Sequence, residues 1–134
     1  MARAGLRALG AMVLIMGSAW ASAAGSPPPT ALRKLETGQW ELRLRGEDAP
    51  PRRLCVADMW QLMQVQHPQA GCSRFVVSDE PDAVAVSYDC ATAGNGRTDL
   101  RVENPRLIQI RSQGIARGAP FELSLEGRRI GACT

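Results

Sequence analysis

Residues 83–103, AVAVSYDCATAGNGRTDLRVE, carry the pattern that decides the fold of this chain. Apolar residues alternate with small, polar or charged ones in both halves, as a strand with one buried face requires. The positions that recur on one face are Val84, Val86 and Tyr88, then Thr98, Leu100 and Val102. Asn95-Gly96 lies between the halves, and both residue types tolerate the positive φ of a tight hairpin turn. The stretch therefore predicts two antiparallel strands joined at Asn95-Gly96.

The same alternation continues on both sides of this hairpin. The further segments that show it are residues 40–44, 52–56, 75–77, 107–111 and 121–126. Asn104-Pro105 breaks the pattern once, and residues 114–120 are predicted to form a loop because glycine and proline interrupt strands. Short strands in close succession favour an antiparallel architecture. We predict a mainly β fold, an antiparallel meander or barrel-like sheet of about seven strands, stapled by two disulfides.

One short helix is predicted over residues 59–66. Asp58 precedes it at the N-cap position, and Gln61 occupies the capping-box position. The helix is expected to end before His67-Pro68, since the residue before a proline disfavours helical geometry. Its apolar side chains recur at spacings of three and four, which favours packing against the sheet.

The first 23 residues have the build of a cleavable secretion signal. Arg3 and Arg7 form a basic start, residues 9–15 supply a short apolar core, and Ala21-Ser22-Ala23 gives the small residues of a cleavage site. The alternative is an uncleaved membrane anchor, but the apolar run is short for a bilayer span. We expect an exported protein cleaved near Ala23 and not stably inserted in a membrane.

Removal of this signal is expected to leave a Pro-rich flexible lead-in at residues 24–37 and a single disulfide-stabilised β domain at residues 38–134. The full chain has 16 basic and 13 acidic residues, and residues 24–134 retain a net charge of +1 because two of the basic residues lie in the signal. Basic residues are scattered along the chain rather than clustered. We therefore expect no nucleic-acid partner.

Four cysteines in an exported chain predict two disulfides. They are Cys55, Cys72, Cys90 and Cys133, which allow three pairings. A bond between Cys55 and Cys72 would bracket the helix, and Cys90 and Cys133 lie near the ends of strands that could be neighbours. We favour Cys55–Cys72 with Cys90–Cys133, and the other two pairings stay open.

Catalytic and metal-binding patterns are weak in this sequence. No two cysteines have C-x-x-C spacing and His67 is the only histidine, which disfavours a zinc or redox site. The serines lack the G-x-S-x-G pattern of a nucleophile elbow. The acidic run at residues 79–82 is typical of a turn. We expect no enzymatic activity, no metal and no cofactor.

Arg129 is the one candidate ligand-binding residue. If the last strand runs unbroken, alternation places it on the inner face with Leu125 and Gly127, where it could anchor an anionic ligand. Two alternatives are a bulge at Gly127 that turns Ile130 inward and Arg129 outward, or an internal pair between Arg129 and a carboxylate.

Three features of the sequence form a recognisable combination: Gly38-x-Trp40, cysteines at 55, 72 and 90, and the ending Gly127-Arg128-Arg129-Ile130-Gly131-Ala132-Cys133. In these features the chain resembles the domain-of-unknown-function family 3617, small exported proteins of Gram-negative bacteria. It implies a periplasmic, β-rich domain and brings no activity or catalytic residue.

Two classes of function remain open at this point. The first is a non-catalytic binding module for a small apolar or amphiphilic ligand of the cell envelope. The second is a protein-interaction or inhibitor domain that acts on a periplasmic or secreted partner. We favour the first and expect a monomer.

Overall fold

The structure is a computed structural model that describes residues 27–68 and 71–134. The predicted signal peptide at residues 1–23 lies outside the described residues, as does the beginning of the predicted lead-in. The strands are β1 (Gly38–Leu44), β2 (Arg52–Val56), β3 (Ser73–Asp79), β4 (Ala83–Asp89), β5 (Gly94–Asn104), β6 (Leu107–Ala116) and β7 (Ala119–Gly131). The prediction of a mainly β fold with about seven strands is confirmed.

The strands form one antiparallel sheet in the order β2-β1-β7-β6-β5-β4-β3. β3 to β7 make a continuous meander, in which each strand pairs with the next along the chain. The β1–β2 hairpin joins this meander through β1, which pairs with β7. β2 and β3 are consequently the two edges of an open sheet.

One face of the sheet, here called the inner face, carries the core. The buried side chains on it include Leu42, Val84, Val86, Leu100, Ile108, Ile110 and Leu125. Residues 57–68, here called the inner segment, cover this face and add Leu62, Met63 and Val65 to the same apolar cluster. The opposite surface, the outer face, is mainly polar and charged.

The lead-in contributes to this core, which corrects its prediction as a flexible segment. Ala31 and Leu32 are fully buried, and Leu35 is buried beside them. A 3-10 helix at Leu32–Lys34 turns these side chains towards the inner face. Because apolar burial outweighs the extended tendency of the preceding prolines, the packed domain begins before the predicted start at Gly38.

The predicted helix is present as a shorter 3-10 helix, Met59–Met63. Asp58 caps it as predicted: its side chain accepts a hydrogen bond from the Trp60 amide at 3.0 Å, and Gln61 completes the capping box. The end at Gln64, earlier than expected, lets Val65 enter the core. Among the described residues, no helix is long and apolar enough to cross a membrane.

The turn predicted at Asn95-Gly96 lies a few residues earlier in the chain. Asn95 and Gly96 pair within the sheet with Asp89 and Tyr88, and the turn before β5 is made by a 3-10 helix at Ala91–Ala93. Glycine is needed at position 96 inside the strand, because an added Cβ would lie 2.5 Å from Tyr88 Oη.

The predicted loop at residues 114–120 is mostly strand. β6 extends to Ala116 and β7 begins at Ala119, which leaves Arg117-Gly118 as a two-residue turn. Both residues have positive φ, 51° and 75°, as the favoured twisted hairpin turn requires.

The disulfides are Cys55–Cys133 and Cys72–Cys90, so the favoured pairing is wrong. Strand order explains the difference. Gln39 of β1 pairs with Cys55 on one side and with Gly131 on the other, which brings Cys133 within reach of Cys55. Ser73 pairs with Asp89, so Cys72 and Cys90 are directly adjacent across β3 and β4.

Candidate functional site

β3 is an edge strand whose apolar side chains face solvent. It pairs with β4 on one side, and every residue from Ser73 to Asp79 is exposed. The exposed fractions of the apolar side chains are 70% for Phe75, 39% for Val76 and 42% for Val77. An exposed apolar edge offers unpaired backbone groups and side-chain contacts to another extended segment.

A bulge at Val77 sets the direction of the side chains along this edge. The pairing with β4 shifts between Val76 and Ser78. Before the shift, Arg74 is opposite the buried Tyr88 and therefore lies on the inner side. After the shift, Asp79 is opposite the buried Val84 and also lies on the inner side. The extra residue thus gives Arg74 and Asp79 the same orientation.

Both ends of β3 are fixed to the rest of the protein. At its start, Cys72 is bonded to Cys90. At its end, the Thr30 amide donates to an Asp79 carboxylate oxygen at 2.8 Å. Between them, the Arg74 guanidinium lies 4.9 Å from the centre of the Trp60 ring. A strand held in this way loses little further conformational freedom when another segment pairs with it.

The opposite edge of the sheet, β2, is protected against pairing with another strand. Pro50 and Pro51 directly precede it, and its first two residues are Arg52 and Arg53. Arg52 donates hydrogen bonds to the Val65 carbonyl and to Gln66 Oε1, and partial burial lowers the pKa of its guanidinium. Prolines and charged side chains are the usual devices that keep an edge from pairing. The two edges therefore differ in what they offer to a partner.

Two grooves accompany β3 on the outer face. One, of about 470 Å³, lies over Ala85 and is bordered by Arg45, Ser78 and Arg111. The other, of about 530 Å³, lies between Phe75 and Arg97 with Ser87 along its floor. Both are open to solvent and bordered by polar groups, unlike the apolar inner cavity that a small envelope ligand would require.

A buried polar cluster lies under the start of β5. His67 Nδ1 is 3.2 Å from Tyr88 Oη, and His67 Nε2 is 2.8 Å from the Ala93 carbonyl oxygen. The row Tyr88, Gly96, Gly114 and Phe121 crosses four strands, and the two glycines leave the space in which the His67 ring packs between the two aromatic rings. Among the described residues, no buried side-chain nitrogen or oxygen lacks a hydrogen-bond partner. His67 is therefore a structural residue here.

Tyr88→Phe is expected to lower the free energy of unfolding by about 1–2 kcal/mol, because His67 Nδ1 loses its partner. Burial raises the pKa of Tyr88, and a hydrogen bond from Ser112 opposes the rise. Stability from the neutral phenol is therefore present below about pH 10 and is lost as pH rises through the folded-state pKa. As the pH is raised, the Tyr88→Phe variant should therefore lose less of its free energy of unfolding than the wild type does, as measured by chemical denaturation.

The wild-type phenol can be followed directly, since Tyr88 is the only tyrosine in the sequence. Its ultraviolet titration should have a midpoint above that of the unfolded chain. If the wild type and the Tyr88→Phe variant lose the same free energy of unfolding at alkaline pH, Tyr88 does not contribute to the pH dependence of stability.

Arg129 lies on the inner face, as unbroken alternation predicts, and its side chain is 19% exposed. Its Nε donates to the Thr37 carbonyl at 2.7 Å and lies 3.7 Å from a Glu36 carboxylate oxygen. The register between β6 and β7 is continuous at Gly127, and the irregularity between β1 and β7 falls at Ile130, which is 46% exposed. The internal pair agrees with the structure, whereas the bulge at Gly127 does not. A ligand-anchoring role for Arg129 stays a prediction.

Three of the residues that carry the family resemblance, Gly38, Trp40 and Arg129, lie together at this corner of the sheet. Trp40 is opposite Arg129, is fully buried, and donates from Nε1 to the Glu36 carbonyl at 3.0 Å. Gly38 packs against the Arg129 guanidinium, where an added Cβ would be 2.8 Å from Nε. The motif thus joins the lead-in to β7.

The described part of the chain offers neither a free thiol nor a cluster of metal-binding side chains. All four cysteines are in disulfides. No group of three or more histidine, cysteine or carboxylate side chains in residues 27–68 and 71–134 is arranged to hold a metal ion. A scan against models of protein families, a search of curated proteins and a search of solved structures each found no match to this chain.

The β3 edge was not identified from the sequence. Alternation between Phe75 and Val77 predicted the strand correctly, but it did not indicate that the strand lies at an edge. The consecutive run Phe75-Val76-Val77 does not indicate an edge, because successive apolar residues are also typical of a strand that is covered on both faces.

Proposed function

We propose that this protein is an exported, non-catalytic interaction module that binds an extended segment of polypeptide along β3. The observation that carries the proposal is the contrast between its edges. β3 is apolar, exposed and fixed at both ends, whereas β2 begins with two arginines and is preceded by prolines. Edge pairing of this kind derives affinity from main-chain hydrogen bonds and selectivity from alternate side chains.

Export to the periplasm is part of this proposal. The signal-like sequence at residues 1–23 and the resemblance to family 3617 support it. Two disulfides also favour an oxidising compartment.

The small-ligand function predicted from the sequence has less support. On the inner face, the space that a ligand would need is occupied by Leu32, Leu62 and Met63, which are buried in the core cluster. Three exposed large apolar side chains, Phe75, Val76 and Val77, lie next to one another on β3 instead. A partner with its own strand is therefore the better fit to this molecule.

The test is photo-crosslinking from the two edges in cells that export the protein. A photoreactive phenylalanine analogue is placed at Val77 on β3 or, as the matched control, at Arg53 on β2. We expect adducts at position 77 that map to a short extended segment of a protein, and only background adducts at position 53.

A second pair of variants tests whether the edge itself is used. Phe75→Lys should reduce the adduct at position 77 at least about tenfold, since an edge lysine opposes strand pairing. Ile130→Lys changes an exposed apolar residue on β7 and should leave the adduct unchanged. Equal adducts from both edges, or a lipid adduct in place of a peptide, would refute the proposed function.

A further inference from the structure

The charges along β3 are complementary to those of a second β3 running in the opposite direction. The strand reads Ser-Arg-Phe-Val-Val-Ser-Asp, with Arg74 near its start and Asp79 at its end. Two copies placed antiparallel bring each arginine towards the aspartate of the other copy. Val76 of each copy then lies opposite Val77 of the other, which gives apolar cross-strand pairs at the centre of the contact.

The bulge selects the register of such a pair. Residues directly opposite each other on antiparallel strands project to the same face. With Arg74 opposite Asp79 of the second copy, both side chains are on the inner side, and Phe75 opposite Ser78 places both on the outer side. In a regular strand this register would put the members of each pair on opposite faces.

A neighbouring register fits poorly. Placing Val76 opposite its own copy would set Arg74 against Ser78, and these two residues lie on different sides of the strand because of the bulge. That register also loses the pairing of opposite charges. The orientation of the side chains and the pairing of charges therefore both favour the register with Arg74 opposite Asp79.

Arg74 and Asp79 can each form further hydrogen bonds to a second copy. Arg74 Nε donates to Gln64 Oε1 at 3.2 Å, and an arginine has four further N–H donors. Thr30 donates to Asp79, and a carboxylate accepts about four hydrogen bonds. Neither group has to leave its present partner.

We propose that the segment bound at β3 is β3 of a second copy of this chain, which gives a two-fold symmetric dimer with one sheet continuous across both copies. This inference rests on the proposed function and names its partner. The contact is isologous, so each dimer contains two Arg74–Asp79 pairs. Closure by symmetry leaves the protected β2 edges at the two ends of the combined sheet.

Sedimentation over a concentration series tests the dimer with the oxidised protein. Wild type should dimerise, whereas Arg74→Glu and Asp79→Arg should each weaken dimerisation at least about tenfold, because each places like charges opposite one another. A mixture of the two variants should form a heterodimer, since the introduced glutamate then meets the introduced arginine and the second pair keeps its native arginine and aspartate. Arg128→Glu reverses an exposed charge on the outer face and should leave wild-type dimerisation unchanged.

Amide hydrogen exchange of the wild type provides a measurement that does not depend on any variant folding. Residues 73–79 should become more protected as the protein concentration rises, and residues 52–56 should not. Protection confined to β2, or a β3 exchange rate independent of concentration up to about 1 mM, would overturn the inference.

The remaining outcomes separate this inference from the proposed function. A wild type that stays monomeric, or two dissociated variants that do not recombine, refutes the second copy as partner. If Phe75→Lys still removes a crosslink to a different protein, the edge-binding function stands without the dimer. If that crosslink is also absent, both proposals fail.

Discussion

Replacing Cys55 and Cys133 together by alanine is expected to lower the free energy of unfolding by about 4.5 kcal/mol. The two residues are 78 positions apart, so their bond removes much of the freedom of the unfolded chain. The same replacement at Cys72 and Cys90, which are 18 positions apart, should cost about 3 kcal/mol. Guanidinium denaturation followed by circular dichroism measures both changes against the wild type.

Thiol titration of the unfolded variants tests the connectivity at the same time. Each of these double variants should contain no free thiol, because the remaining two cysteines are bonded to each other. As the matched control, Cys55→Ala with Cys72→Ala should leave both remaining cysteines without their partners. Free thiols in either of the first two variants would contradict the pairing described here, and a larger loss for the shorter loop would contradict the chain-entropy explanation.

Gly114→Ala is expected to lower the free energy of unfolding by about 3 kcal/mol. An added Cβ would lie 2.1 Å from the Asn95 carbonyl oxygen and 2.5 Å from Gly96 Cα. Both neighbours are backbone atoms, so a change of side-chain rotamer cannot relieve the contact. β5 and β6 would have to separate where His67 packs over them. Thermal and chemical denaturation should both report the loss.

Gly71→Ala is the matched control for this substitution. Gly71 is exposed, and an added Cβ would meet no atom within 4 Å. The control should therefore stay within about 0.5 kcal/mol of the wild type. A Gly114→Ala protein as stable as this control would show that the two strands approach less closely than described.

Local pattern was sufficient to predict most strands of this fold. β2 was predicted with its observed limits at residues 52–56, and Thr98, Leu100 and Val102 lie on the inner face as expected. These predictions depend on the alternation of apolar and polar residues within one strand. That alternation is a local property, because it follows from the geometry of the extended chain.

Features that depend on strand order were not predictable in the same way. The pairing of Cys55 with Cys133 requires β7 to lie beside β1, which no pattern within either strand indicates. Asn95-Gly96 has the composition of a turn, yet both residues lie within β5 because Tyr88 packs over Gly96. In both cases tertiary contacts outweigh local preference.

The candidate site depends on strand order for the same reason. Phe75 and Val77 have the composition of a buried strand, and their exposure follows from the position of β3 at the end of the sheet. Arg129 was the candidate named from the sequence, which left an inward side chain, a bulge at Gly127 and an internal ion pair open, and the inward side chain with an internal pair agrees with the structure. Its contacts with Thr37 and Glu36 involve the lead-in, which the sequence had indicated as flexible.

The placement of β7 between β1 and β6 has a consequence for the order of assembly. Before β7 is added, the β1–β2 hairpin and the β3–β6 meander share no strand pairing, and each presents an open edge to the other. As the chain emerges from its N-terminal end, the residues that unite these two halves are the last to arrive. Until that last strand is in place, the two halves cannot form the single sheet of the folded protein. Oxidation of Cys133 with Cys55 can then follow the insertion of the last strand and lock the completed sheet.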